Sequence, residues 1–294
     1  MENTILIPLD NTEISEYLIQ IADEWGKKTN SRLSFLHVIN PDYSWSEDKK
    51  PLFEDRFETA VSRYTIQCEY EVLFRVGKPY EKILTAENEL RPRLIIMAAH
   101  SYTILQRLFL GSNTDHVLHK TKVPLHVYKK VDSELSNVIL VPLDYTDINT
   151  ELVHVADEIA QNEGADLAFL HVDELPEYSG NSYMMETGFF KKQDETAVKE
   201  LDEQEYDLQI LQVKNELNEF VSSLKISSNY QTIVRFGIPY VKIKDVQKSI
   251  QAKMIVMAAH SHTVVGRLIL GSNTDYLMHH VNCPMYIYKS TSMA

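Results

Sequence analysis

Met97-Ala98-Ala99-His100-Ser101 leads on to Leu110-Gly111-Ser112-Asn113-Thr114-Asp115. The same arrangement returns as Met257-Ala258-Ala259-His260-Ser261 leading to Leu270-Gly271-Ser272-Asn273-Thr274-Asp275. The offset, Met97 to Met257, is 160 residues and holds without a gap to Pro124 and Pro284. Self-similarity of this kind makes the 294-residue chain a tandem of two related units, each long enough to bury its own core.

Outside the repeated block, short β-branched runs alternate with segments of helical period. In the first unit, strands are expected near residues 4–9, 32–38, 70–76, 93–98 and 124–128, with helices near 13–29, 52–66, 80–90 and 112–120. Leu94-Ile95-Ile96-Met97-Ala98 is continuously apolar, as a strand covered on both faces should be. Strands alternating with helices predict an α/β fold with a parallel, doubly wound sheet, and right-handed crossovers put helices on both faces.

The second unit repeats the order. Val138 to Asp144 matches the opening strand at an offset of 134, from Asp10 to Asp144, and Phe169-Leu170-His171-Val172 matches Phe35-Leu36-His37-Val38 at the same offset. Arg235-Phe236-Gly237-Ile238-Pro239 matches Arg75-Val76-Gly77-Lys78-Pro79 at 160, so 26 extra residues enter between Val172 and Arg235. The domains expected are 1–130 and 137–290, joined by a short polar linker, with an insertion near 173–198. The insertion opens as a long loop rich in Gly, Ser, Tyr and Met. The charged run Glu195 to Leu224 then predicts an extended second helix.

A net charge of −13 argues against nucleic acid and anionic membrane as partners, because both need a basic footprint. Hydrophobic residues at 44% exclude a disordered chain. Cys68 and Cys283 fall at non-equivalent places in their units, so no disulfide framework is expected and a reducing cytoplasm fits. The opening residues show neither the basic nor the long apolar region of a signal peptide.

The chemistry concentrates where the fourth strand ends and the fourth helix begins. Backbone N–H groups at a helix start, with the positive end of its dipole, form an anion site. Gly111 lets the backbone approach a phosphate, and Ser112 and Thr114 offer hydroxyl donors. Asp10 and Asp144 stand at the ends of first strands, beside the point where strand order reverses in such sheets. There a carboxylate can accept from a ribose hydroxyl, hold Mg²⁺ on a polyphosphate, or simply cap a helix.

Taken together, Ile7-Pro8-Leu9-Asp10, the Gly77-Lys78-Pro79 turn and the Met97 to Ser112 block, present in order in both units, resemble the universal stress protein family. The resemblance implies two Rossmann-like units, each a five-stranded parallel sheet of order 3-2-1-4-5. It also implies an intramolecular pseudo-dimer through the fifth strands, here Leu125 to Tyr128 and Met285 to Tyr288. One branch of that family binds ATP or AMP through a spaced pattern of Gly and Ser/Thr, which falls here on Ala98, Ser101, Gly111 and Ser112, and on Ala258, Ser261, Gly271 and Ser272. The spacing is kept while the first two glycines of each copy are replaced. Adenine in such proteins meets backbone just after the second strand, which implies Val38 and Val172. With Asn113, Thr114, Asn273 and Thr274 these complete the expected binding set.

The resemblance therefore implies a stress-response regulator that binds an adenine nucleotide. The competing expectation is a protein–protein interaction module with unoccupied clefts, to which Met184, Met185, Phe189 and Phe190 of the insertion would contribute. A protein partner and further homodimerisation are left open. No nucleophile elbow, paired-carboxylate motif or Lys-bearing phosphate loop is present, so no catalytic residue is expected beyond slow ATP hydrolysis. The histidines His100, His116, His119, His260, His262, His279 and His280 lack tight ligand spacing, and no metal is expected from sequence alone.

Overall fold

The apolar run from the repeated block forms a strand whose five residues, Leu94–Ala98, are all buried, and the rest of the first half is arranged around it. In this computed structural model, residues 3–10, 13–41, 46–99, 110–131, 134–144, 148–173, 203–259 and 270–289 are described. Ser101, Ser261, the histidines at 100, 260 and 262, and the insertion beyond Asp173 lie outside them.

The first repeat runs β1 Thr4–Leu9, α1 Glu13–Thr29, β2 Arg32–Ile39, α2 Lys50–Ser62, β3 Tyr70–Val76, α3 Pro79–Leu90, β4 Leu94–Ala98, α4 Ser112–Lys120 and β5 Leu125–Tyr128. The second runs β6 Ser136–Leu143, α5 Ile148–Glu163, β7 Asp166–Asp173, α6 Glu203–Ser223, β8 Tyr230–Phe236, α7 Pro239–Ile250, β9 Ala252–Ala258, α8 Ser272–His280 and β10 Met285–Tyr288. Among the described residues, no helix is long and apolar enough to cross a membrane.

The helix after the second strand begins earlier and ends earlier than its periodicity suggests. Pro51 suits the first turn, where its missing N–H costs nothing. Past Ser62 the backbone turns away because the N–H groups of Gln67 and Cys68 both donate to Asp23, each at 2.9 Å. The second repeat does the same, with Ser227 and Ser228 donating to Asp157 at 3.1 and 2.9 Å. Its α6 extends over 21 residues against 13 in α2.

Compactness divides the chain differently from the repeats: one unit takes residues 1–133 and 257–294, the other residues 134–256. The reason lies in strand pairing. In the first unit the strand order is β3-β2-β1-β4-β5-β10. The first five strands are parallel. β10 joins β5 antiparallel, with Met285, Tyr286 and Ile287 opposite Val127, His126 and Leu125. That ladder draws the end of the second repeat into the first unit. Ile5, Leu6, Ile7, Leu33, Phe35, Leu36, Ile95 and Ile96 form the fully buried centre.

In the other unit β9, β6, β7 and β8 lie in that order, all parallel, around Ile139, Leu140, Val141, Leu167, Phe169 and Leu170. Each unit also has a glycine turn leading into a helix that opens with proline. Gly77 at φ +139° and Gly237 at φ +127° follow β3 and β8, and their N–H groups donate to Ile39 and Asp173 at 2.9 and 3.0 Å. A side chain strains such a backbone, which is why glycine stands there in both copies.

Candidate functional site

In the first unit β1 lies between β2 and β4, so successive strands are laid down first on one side of β1 and then on the other. The order reverses between β1 and β4, and in open α/β sheets ligands bind outside the strand ends at that reversal. Asp10 follows the last residue of β1, is exposed, and accepts the Ser15 hydroxyl at 3.3 Å. Leu9 is the last β1 residue paired with β2, opposite His37. Val38, half-buried, therefore sits one step beyond the β1 ladder and level with Asp10.

His37 closes this corner. Its Nδ1–H donates to the Leu9 carbonyl at 2.8 Å, and its ring packs on Phe57 and Phe74. His171 does the same in the other unit, Nδ1 lying 2.9 Å from the Leu143 carbonyl. These histidines hold the strand ends from which Asp10 and Asp144 emerge. Their function escaped the sequence reading, although the recurrence of Phe-Leu-His-Val in both repeats was its signal. Asp144 is exposed after β6, and Val172 is half-buried in β7 opposite Arg235.

At α4 the helix cap is Gly111, with φ −62° and ψ 144° and no side-chain capping bond. Ser112 is the first residue inside the helix, and its side chain is exposed. The first helical bond runs from Asp115 N–H to Gly111 O at 2.9 Å, so the N–H groups of Ser112, Asn113 and Thr114 precede the ladder. Gly111 has no side-chain acceptor of its own for these donors, which lie at the positive end of the helix dipole.

Thr114 corrects the expectation of a second hydroxyl donor. Its side chain is 1% exposed, and its hydroxyl donates to the Ala98 carbonyl at 2.9 Å. It fastens the helix start to the end of β4. α8 repeats every part: Gly271 caps at φ −67° without a side-chain bond, Ser272 is exposed, and buried Thr274 donates to Ala258 O at 3.2 Å. Asn113 and Asn273 are half-buried.

The replaced glycines carry no strain where they are described. Among the described residues, the non-glycines at positive φ are Asn30, Arg91, Lys225 and Gln251, so neither Ala98 nor Ala258 is forced into the left-handed region.

A family model described as the universal stress protein family matches residues 1–129 and again residues 136–289. Among solved structures, the chain is similar to a universal stress protein from Archaeoglobus fulgidus, at 20% identity and TM-score 0.64 over 98% of this chain and 99% of that one. A functionally unknown protein from Pseudomonas aeruginosa PAO1 aligns at 13% identity and TM-score 0.72, covering 99% and 94%. A third neighbour, a putative universal stress protein from Pseudomonas aeruginosa UCBPP-PA14, aligns at 14% identity and TM-score 0.69, covering 98% and 93%. Among curated proteins, no sequence matches the chain.

Proposed function

Because the chain belongs to the universal stress protein family over both repeats, we propose that it is a stress-response regulatory protein binding an adenine nucleotide, AMP or ATP, at the α4 start. The single observation behind this is the glycine-capped helix beside the strand-order reversal. Three N–H groups and the exposed Ser112 hydroxyl offer donors to a phosphate. Asp10 would accept from the ribose or hold Mg²⁺ on a polyphosphate. Val38, one residue past the β1 ladder, would offer backbone to the adenine. Ala258, Ser261, Gly271, Ser272, Asn273 and Thr274, with Asp144 and Val172, are the counterparts in the second repeat. Among the described residues, neutral donors and a helix dipole would hold the phosphate, an arrangement that suits binding.

Gly111 and Gly271 have negative φ, so a bulky side chain fits their backbone while crowding the phosphate position. The double variant G111L/G271L is expected to fold and to lose at least about tenfold in nucleotide affinity, about 1.4 kcal/mol. Unchanged affinity in a folded variant would remove the site.

The reading as an interaction module has one observation of its own: Leu208 and Leu211 on α6 are 64% and 53% exposed. Fresh protein that releases no nucleotide on denaturation, and gains no thermal stability from millimolar ATP with Mg²⁺, would favour it. A ligand that binds only the native state must raise apparent stability.

A further inference from the structure

Helices α4 and α8 open with the same Ser-Asn-Thr-Asp, and each places a histidine one turn after the aspartate: Asp115 with His119, Asp275 with His279. Neither pair is a site by itself, since an i, i+4 Asp–His pair on a helix is ordinary. Folding brings the two pairs together in one compact unit. His119 Nε2 lies 3.5 Å from Asp115 Oδ1 and also 3.5 Å from Asp275 Oδ1. His279 Nε2 lies 3.8 Å from Asp115 Oδ1. Donor atoms from Asp115, His119 and Asp275 all fall within 4.8 Å of one another.

We propose that these four residues form a binding site for a divalent transition cation of the zinc class. A tetrahedral ion with bonds of about 2.0–2.1 Å requires its donor atoms about 3.3–3.4 Å apart. His119 stands within about 0.2 Å of that spacing from both carboxylates, while His279, 3.8 Å from Asp115 and outside the cluster of three, has to turn inward furthest to complete the shell. The tautomer of His279 is already set. Its Nδ1 lies 2.8 Å from the Asp275 backbone carbonyl, which can only accept, so the proton sits there and Nε2 presents a lone pair. Two carboxylates converging on one imidazole offset a dication's charge. Imidazole donors select zinc, cobalt or nickel over calcium and magnesium. The four side chains are between 34% and 44% exposed, which leaves an entry path.

One ligand pair comes from each repeat, so the ion would tie α4 to α8 and respond to any shift between them. The site is separate from the phosphate donors of Ser112 to Thr114 and does not rest on nucleotide binding.

The test uses the full chain, stripped with a chelator and titrated with Co²⁺ alone. One equivalent of Co²⁺ is expected to produce the intense visible absorption of tetrahedral cobalt. Zn²⁺ should displace it and raise the melting temperature. H119Q/H279Q should lose the band and bind at least 100-fold more weakly, while H116Q/H280Q, which removes the other histidines of the same helices, should keep it. Absence of the band in the parent protein would overturn the proposal. So would equal Co²⁺ binding by H119Q/H279Q, or loss of binding in H116Q/H280Q.

Discussion

The Thr114 hydroxyl donates to the Ala98 carbonyl across 2.9 Å, joining the first turn of α4 to the last residue of β4 inside the core. Thr114 is 1% exposed, so no solvent replaces the bond if it is removed. T114V keeps the shape of the side chain and leaves the carbonyl unsatisfied. It is expected to cost about 1–3 kcal/mol, read as a lower urea midpoint at unchanged slope. T114S keeps the donor and should lose less. T274V should behave alike, because Thr274 donates to Ala258 in the same way.

This bond also marks where sequence reading stops. The order of strands and helices was legible, because two copies of one pattern constrain each other and because Leu94–Ala98 is too apolar to lie at a surface. The helix start was legible as a place, from Gly111 and the polar residues after it. Which of those residues faces outward was not. Ser112 and Thr114 are two apart on a helix and point in different directions, and only the packed strand decides that Thr114 turns inward. The Asp115–His119–Asp275 cluster was invisible for a stronger reason, since Asp275 lies 160 positions beyond Asp115 and meets the Asp115–His119 pair only through tertiary structure. His37 and His171 were visible as repeats but not as clamps, because a bond to Leu9 or Leu143 depends on strand register.

Asp23 is 6% exposed and Asp157 7%, and each accepts two backbone N–H groups. Burial opposes their charge, but those donors outweigh it: the amides of Cys68 and Gln67 for Asp23, and Ser228 and Ser227 for Asp157. Both carboxyls are held below the usual range. A depressed carboxyl contributes stability that is complete above its unfolded value of 3.8 and is lost as pH falls through the folded value. D23N/D157N removes the charge and keeps one oxygen acceptor at each site, enough for both N–H groups at position 23 but for only one of the two at position 157. It is expected to be about 1–3 kcal/mol less stable at pH 7 and to show a flatter fall in melting temperature below about pH 4. Parallel acid profiles for parent and variant would contradict this account.

Gly77 and Gly237 stand at φ +139° and +127°, where any side chain strains the backbone. A Cβ at Gly77 would come within 2.6 Å of Lys82 Cε, a flexible stem that can move, so the cost lies in φ rather than in the clash. G77A and G237A are each expected to destabilise by about 1–3 kcal/mol, measured by chemical unfolding. K82A in the G77A background should recover little, because removing the stem leaves the dihedral unchanged.

Lys129 and Lys289 bear on alkaline stability. Each is almost fully buried, at 1% and 2% exposure. Lys129 donates to the carbonyls of Met278 and Val281, at 2.5 and 2.9 Å, where α8 ends. Lys289 donates to Leu118 and Thr121, at 2.7 and 2.8 Å, where α4 ends. Two carbonyls need two N–H groups, and a neutral amine has two, so both ends stay satisfied without the charge. Burial pushes each ammonium down from 10.5 to about 8. Below about pH 8 both folded and unfolded chains carry the proton, and the folded state bears the cost of burying it. Between about pH 8 and 10.5 the folded lysines are neutral while the unfolded ones remain charged, so the unfolded state binds more protons and stability rises with pH. The rise is at most about 3 kcal/mol per lysine. K129M/K289M keeps the apolar stems and abolishes the titration. Unfolding free energies from pH 7 to 10.5 should therefore climb more steeply in the parent than in the variant, the difference cancelling other alkaline groups such as Cys68. Coincident slopes would mean that the buried amines keep their protons throughout, held by the helix-end carbonyls.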